Sequence, residues 1–346
     1  MHPLGSEIPR PELNADVEAL PSTQRLVVAE RFHVYCARAA QIPRVLPEIG
    51  RLRELTFRAV GEGTGKSRDI DFFDSYYLHL FLWDAGAHSV VGAYRLGLAD
   101  EILPRRGRRG LYTYSLFKYP SRLLASRNPA IELGRSFVRA EYQRDFAPLM
   151  LLWRGIARFI ERRPWYAVLF GAVSISSSYA PASRRLMVDY LCAHCTETRL
   201  AGEVTPRRPY RETAPCEAVS PPRTMHELMR LICEIEQGQK GVPVLLRQYL
   251  RLGGRLLGFS CDGKFADALD GLIMVDLRSI EPAILARYMG KAGMAAFRAY
   301  HEGARVPLNA GTRTLRAQSR RSSQNAIEER REGRRVLLPI AARDAT

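Results

Sequence analysis

Short apolar, β-prone runs recur along this chain, the first alternating with polar residues and others continuous, and each predicts a strand. Phe32-His33-Val34-Tyr35-Cys36-Ala37 is the first. Leu78 to Trp83 and Ser89 to Leu98 are two more, with Asp84-Ala85-Gly86-Ala87-His88 suited to a hairpin loop between them. Ile131 to Val138 and Tyr166 to Ile175 form a central pair, separated by a helical stretch from Ala147 to Arg163. Leu256 to Cys261 and Leu272 to Leu277 close the series. Val45, Ile49, Leu52 and Leu55 mark a helix over 42–60, ended by the Gly61/Gly63/Gly65 cluster. Further helices are predicted over 181–193, 225–236 and 244–252. Residues 1–28 read as an extended leader, and 202–222, with five prolines, as an irregular excursion. One strand–helix–strand unit flanked by hairpin-like pairs predicts an α/β fold, a mixed sheet covered by helices.

Composition narrows the function classes. The chain of 346 residues is long enough for a full core, taken here as one domain over 29–302. No apolar run approaches the ~20 residues of a membrane span. The first residues lack the apolar stretch of a secretory signal, and six cysteines are too few for a disulfide framework. A cytoplasmic location follows as the expectation. Net charge is +16, and residues 305–335 alone hold nine arginines against three glutamates. The tail over 303–346 is therefore expected to be basic and disordered. Such a surface suits an acidic protein, an anionic membrane or nucleic acid, and charge alone does not choose.

Chemistry concentrates in three blocks. Asp69-Ile70-Asp71-Phe72-Phe73-Asp74 places three carboxylates in six residues. Arg95 ends an apolar run, and Glu132 and Arg135 stand three apart in the central strand. Charges beside strands are costly to bury unless paired, so the set marks either a site or an ion-pair network that ties strands together. Three other signals are weaker. Gly61-Glu62-Gly63-Thr64-Gly65-Lys66-Ser67 resembles a phosphate loop but leaves one residue too few and follows a helix. His79 and Asp84 have the spacing of an O-acyltransferase pair, yet five residues along one strand point to opposite faces. Cys192-Ala193-His194-Cys195 has no second Cys-x2-Cys, so no metal is expected.

The order Asp-x-Asp-x2-Asp (69, 71, 74), Val-x-Gly-x2-Arg-Leu (90–96) and Glu-x2-Arg (132, 135) resembles the acyl-homoserine-lactone synthases, with Arg53 and Phe57 as an upstream Arg-x3-Phe. Glu132-Leu133-Gly134-Arg135-Ser136, Leu151 to Ala157, Leu169-Phe170-Gly171-Ala172, Pro243 to Leu250 and Leu269 to Leu272 are similar to blocks of the ornithine N-acyltransferases and their hemolysin-like relatives in the GNAT superfamily. The resemblance spans about residues 30 to 300. It implies a mostly antiparallel sheet that splays between two central parallel strands to admit a pantetheine arm. It also implies a substrate-binding set of Arg53, Phe57, Asp69, Asp71, Asp74 and Arg95. The donor would lie against Phe137, Val138 and Arg144. The superfamily's glycine-bearing pyrophosphate loop is replaced by Gln143-Arg144-Asp145-Phe146-Ala147-Pro148. A carrier-protein thioester needs no such loop, so acyl carrier protein is the expected donor and partner, with no separate cofactor.

Amide formation from a thioester needs an uncharged amine, a proton acceptor and stabilisation of an oxyanion. Glu132 is the first choice of base and His79 the second, with Arg135 acting beside Glu132. The expected reaction moves a (3-hydroxy)acyl chain from acyl carrier protein to the α-amine of an amino acid. Ornithine leads, as in lyso-ornithine lipid synthesis, with peripheral contact at an anionic inner membrane face. The rivals are an acyl-homoserine-lactone-type signal synthase, a glycine or lysine N-acyltransferase, and a basic nucleic-acid-binding protein with a degenerate core. Nucleic acid is not the expected partner. Removal of 305–346 separates that last rival, because it would abolish nucleic-acid binding and spare acyl transfer.

Overall fold

The computed structural model describes residues 1–124, 129–211 and 221–303. Helix α1 (Arg10–Glu18) leads into β1 (Arg25–Ala29) and β2 (Phe32–Arg38), then α2 (Val45–Ala59). The hairpin β3 (Leu78–Asp84) and β4 (Ser89–Leu98) is followed by α3 (Ala99–Arg106) and the short β5 (Phe117–Lys118). The central unit is β6 (Ala130–Val138), α4 (Ala147–Glu161) and β7 (Val168–Ile175). Next come α5 (Pro181–His194), α6 (Thr198–Ala201), β8 (Thr205–Pro206), α7 (Met225–Ile235) and α8 (Val244–Arg251). A second hairpin, β9 (Arg255–Asp262) and β10 (Ala268–Asp276), precedes α9 (Pro282–His301).

Eight strands form one sheet in the order β1-β2-β3-β4-β6-β7-β10-β9, and β5 pairs with β8. Neighbours are antiparallel except β6 and β7, which are parallel as the sequence implied. Their ladder runs only over Ala130↔Val168, Ile131↔Leu169 and Glu132↔Phe170, although both strands continue. The strands stay close as far as Leu133, because a Cβ built on Gly171 would fall 2.2 Å from the Leu133 carbonyl oxygen. Beyond that apex they part, giving the splayed sheet.

Alternation assigns the two faces. Leu80, Leu82, Leu133, Leu169 and Ile273 point to one face, where they pack under α4, α5, α7, α8 and α9. Phe81, Trp83, Ala93 and Phe137 point to the other, under Val45, Ile49 and Leu52 of α2. Farther along that second face, Phe170 and Leu272 pack with Tyr77, Leu111 and Phe117. The second face therefore carries two separate apolar clusters, and the charged blocks lie with it.

The leader is not extended. Leu13 and Val17, one helical turn apart in α1, are buried against the α2 cluster. The Asp16 carboxylate accepts from Arg44 N at 2.6 Å and Val45 N at 2.9 Å, capping the start of α2. The Asp69–Asp74 block is not a strand edge either: Asp71 caps a single 3-10 turn over Phe72–Ser75, accepting from Phe73 N. Helix α9 extends the fold past the final strand, with Leu285, Met289 and Phe297 buried. Beyond Gly303, the basic tail lies outside the described residues.

Candidate active site

Three arginines and three aspartates interlock on the second face. Arg53, from α2, bonds both Asp74 oxygens at 3.0 Å through Nη1 and Nη2, and its Nε lies 3.4 Å from Asp69 Oδ2. Arg95, from β4, reaches Asp71 Oδ1 at 2.7 Å and Asp74 Oδ1 at 3.3 Å. Arg135, from β6, reaches Asp69 Oδ2 at 3.1 Å and Asp71 Oδ2 at 3.5 Å. Burial alone would raise the Asp74 carboxyl, but Arg53 and Arg95 outweigh it and hold the group far below the usual range. The rings of Phe73, Tyr77 and Tyr112 surround the Arg95 guanidinium at 5.2–5.5 Å.

The expected substrate-binding residues lie in this network. Arg53, Arg95, Asp69 and Asp74 are buried and paired within it. Of its three arginines and three aspartates, Asp71 and Arg135 retain the most access, at 21% and 10% of their side-chain surface. Phe57 is half-buried and packs edge-on to Phe265, whose ring centroid lies 4.1 Å from the Arg135 guanidinium carbon. It forms part of the wall behind Arg135.

Arg135 is aimed by the backbone. Ala93 pairs with Phe137 but Arg95 with Gly134, so β6 carries an extra residue there, and Arg135 has φ +51°. Three residues along a regular strand would put Glu132 and Arg135 on opposite faces. The bulge brings both to Tyr112, whose N–H donates to Glu132 at 3.0 Å and whose hydroxyl accepts from Arg135 Nη1 at 3.3 Å.

Glu132 and His79 are both held in place. The Glu132 carboxylate accepts from Thr113 N at 2.6 Å, from Tyr112 N and from the Tyr77 hydroxyl. Burial, with Glu132 alongside, pushes the Tyr77 phenol well above its ordinary range, so Tyr77 keeps the proton that it donates. Gly97 makes room for that ring, because a Cβ there would lie 2.4 Å from it. His79 Nε2 sits 2.9 Å from the Asp74 carbonyl oxygen, and burial pushes the imidazole down to about 4 against the pull of Asp74. Through these bonds Glu132 anchors the 111–113 segment and His79 Nε2 the 3-10 turn.

A second carboxylate group went unnoticed in the sequence. Glu62 accepts from Ser174 Oγ on β7 at 2.8 Å. Asp262, at the end of β9, accepts from the Tyr112 hydroxyl at 2.7 Å. Asp270 lies on β10 opposite Ser174 and Ser260. Burial raises Glu62, with Ser174 opposing, and burial with Asp262 and Glu62 holds Asp270 well above the carboxylate range. The available signal was an aspartate inside an apolar run, Leu269-Asp270-Gly271-Leu272.

Of the donor-side residues, Phe137 turns its side chain into the α2 cluster, Val138 is half-buried and Arg144 is exposed. The phosphate-loop look-alike is filled from within: Thr64 N and Gly65 N donate to Glu54 at 3.0 and 2.9 Å. Asp84 is tied to Gly86 N and Arg31, remote in role from His79. Cys192 is exposed and Cys195 half-exposed, and no group of three His, Cys, Asp or Glu among the described residues could hold a metal. A cavity of about 70 Å³ beside Arg38, Leu98, Glu101 and Arg105 touches none of the site residues. No helix among the described residues is long and apolar enough to cross a membrane.

The acetyltransferase (GNAT) domain family matches residues 52–154, which contain Arg53, all three aspartates, Arg95, Glu132 and Arg135. A glycine N(alpha)-acyltransferase of Bacteroides thetaiotaomicron is 30% identical over 295 residues, covering 80% of this chain and 86% of that protein. Its counterpart in Phocaeicola vulgatus is 29% identical over 297 residues, covering 80% and 88%. Among solved structures, a CoA-dependent acyl-homoserine lactone synthase, BjaI, with SAM and isopentyl-CoA aligns over 76% of this chain and 97% of its own, at a TM-score of 0.39 and 14% identity.

Proposed function

Because the chain belongs to the GNAT acyltransferase family, we propose that it transfers an acyl chain from a thioester to the α-amine of an amino acid, with glycine as the first acceptor. The observation that carries this reading is the similarity along 80% of the chain to two glycine N(alpha)-acyltransferases. The geometry supports the small acceptor. The resemblance to ornithine N-acyltransferases puts ornithine first, but Asp69, Asp71 and Asp74, the carboxylates suited to a cationic acceptor, are each paired with arginine. Glycine has no side chain to satisfy. Ornithine, the acceptor that would give lyso-ornithine lipid, is the second to test.

The residues divide the work as follows. Arg135, with its partly open guanidinium at the bulge, holds the acceptor carboxylate. The parted ends of β6 and β7 receive the pantetheine arm, and their main-chain groups face the thioester carbonyl as it becomes an oxyanion. The amine lone pair attacks that carbonyl carbon, and the C–S bond breaks to release the thiolate. The donor in this reading is an acyl carrier protein. The glycine-free loop at Gln143–Pro148 favours a carrier protein over a nucleotide, and a net charge of +16 suits an acidic partner.

The test uses the purified full chain with acyl carrier-protein and acyl-coenzyme A thioesters, offered glycine, ornithine, lysine and S-adenosylmethionine. Mass spectrometry should find N-acylglycine in excess over other products. Acyl-homoserine lactone alone, or no transfer to any amino acid, would overturn the reading.

A further inference from the structure

We propose that Asp270, flanked by Glu62 and Asp262, receives the acceptor's α-ammonium group and takes its proton, an inference that rests on the amino-acid N-acyltransferase reading above. Asp270 is 6% exposed and makes no hydrogen bond or ion pair among the described residues. A carboxylate buried that far without a partner is costly, and a fold that keeps one has left room for a cation or a proton.

The surroundings say which. Strand register places Asp270, Ser174, Ser260 and Asp262 on one face, since Asp270 pairs with Ser174 and Ser260 and Asp262 pairs with Ala268. Ser174 brings in Glu62 through its hydroxyl. Tyr112 links Asp262 to Arg135, which is already committed to Asp69 and Asp71. Three carboxylates thus cluster beside one arginine that is neutralised from its other side. An amino-acid zwitterion has the matching pair of ends, its carboxylate toward Arg135 and its ammonium toward Asp270.

The position also fits the chemistry. Ser174 lies on β7 beyond Phe170, where the ladder to β6 has stopped. At Gly134, on the other side of the opening, a Cβ would meet nothing within 4 Å. An amine bound at Asp270 therefore stands on the site face, beside the parting strands that receive the thioester. Burial and the two neighbouring carboxylates raise the proton affinity of Asp270 well above that of an ordinary carboxylate, in the direction that proton transfer from an ammonium requires. The protons balance: one passes from the ammonium to Asp270 and on to water. The neutral amine attacks, the C–S bond breaks, and the nitrogen's second proton goes to the departing thiolate.

The test compares wild type, Asp270→Asn and Glu62→Gln with glycine and with hydroxylamine, a nucleophile uncharged at neutral pH, across pH 6–10. Asp270→Asn should slow glycine transfer on the order of 10²–10⁴-fold near neutrality. The loss should shrink at high pH, where free amine is available, and hydroxylamine turnover should fall less than about tenfold, within what loss of a positioned base spares. Glu62→Gln removes a neighbouring negative charge, so the rising limb of the glycine pH profile should move to lower pH. An unchanged glycine rate in folded Asp270→Asn, equal losses with both nucleophiles, or a Glu62→Gln profile identical to wild type would overturn the proposal. Should Asp270→Asn fail to fold, the Glu62→Gln profile decides. No wild-type transfer to any amino acid would instead defeat the reading beneath it.

Discussion

Replacing Glu132 by Gln should destabilise the protein before it tells anything about catalysis. Two carboxylate oxygens serve three donors: Oε1 takes Thr113 N, and Oε2 takes Tyr112 N and the Tyr77 hydroxyl. Glutamine has one acceptor oxygen and an NH2 group. In its better orientation the oxygen keeps Tyr112 and Tyr77, and the NH2 faces the Thr113 N–H. That loses one charge-assisted bond, worth about 1.5–3 kcal/mol, and strands one buried donor at about 1–3 kcal/mol. The expected loss is about 2.5–6 kcal/mol from these two terms. Urea unfolding followed by circular dichroism should show the midpoint falling by about 1–2 M, with a slope typical of a chain this size. Tyr77→Phe removes one donor and should cost only about 1 kcal/mol. The opposite pattern refutes the reasoning: a Glu132→Gln protein with the wild-type midpoint and a rate lowered on the order of 10²–10⁴-fold would make Glu132 the base after all.

Asp74→Asn leaves Arg53 and Arg95 buried without their shared partner and should cost about 3–5 kcal/mol in urea unfolding at pH 7. The Asp74 carboxyl is depressed in the fold, so its contribution is full above the unfolded value of about 3.9 and is lost as pH falls toward the folded one. The gap between wild type and variant should therefore hold from pH 5 to 8 and narrow progressively once pH falls below the unfolded value, closing only in strong acid. Asp270 is shifted the other way, so its contribution is full below about pH 3.9 and fades as pH rises. Asp270→Asn should accordingly gain melting temperature on wild type between pH 5 and 8, which a merely structural aspartate would not show. Gly97→Ala pushes a methyl into the Tyr77 ring and should cost about 1–3 kcal/mol by calorimetry. Turnover with acyl carrier protein should exceed that with acyl-coenzyme A and fall as salt rises, because screening weakens steering of an acidic partner; equal, salt-independent rates would count against it.

Strands were legible where short apolar, β-prone runs are bounded by turn residues. Leu78–Asp84 and Ser89–Leu98 emerge this way although both of their faces are buried, and the turn between them gives the hairpin. Helix α1 was hidden because it buries only Leu13 and Val17 through a mostly polar segment, too few apolar positions to set a period. The charged blocks were legible as a group but not in their roles. Spacing places Asp69, Asp71 and Asp74 together, yet which arginine neutralises which aspartate depends on how α2 lies across the sheet. Glu62, Asp262 and Asp270 come from a loop and two strands some two hundred residues apart. Only the β7–β10–β9 order brings them together, and no local pattern encodes that order.

The early end of the β6–β7 ladder shapes which parts of this protein can drift. Along the parted edges a ligand meets main chain, and main chain is the same whatever side chain it carries. Alanine substitution of Ser136 or Val138 would leave those backbone contacts untouched, so the slot tolerates changes in its own lining. The apex is the exception. At Gly171 one added methyl would strike the Leu133 carbonyl, forcing the strands apart or locking them shut. In the proposed reaction, side chains on one face of the sheet would set the acceptor, while the slot for the thioester would be set by backbone geometry, with Gly171 at its apex.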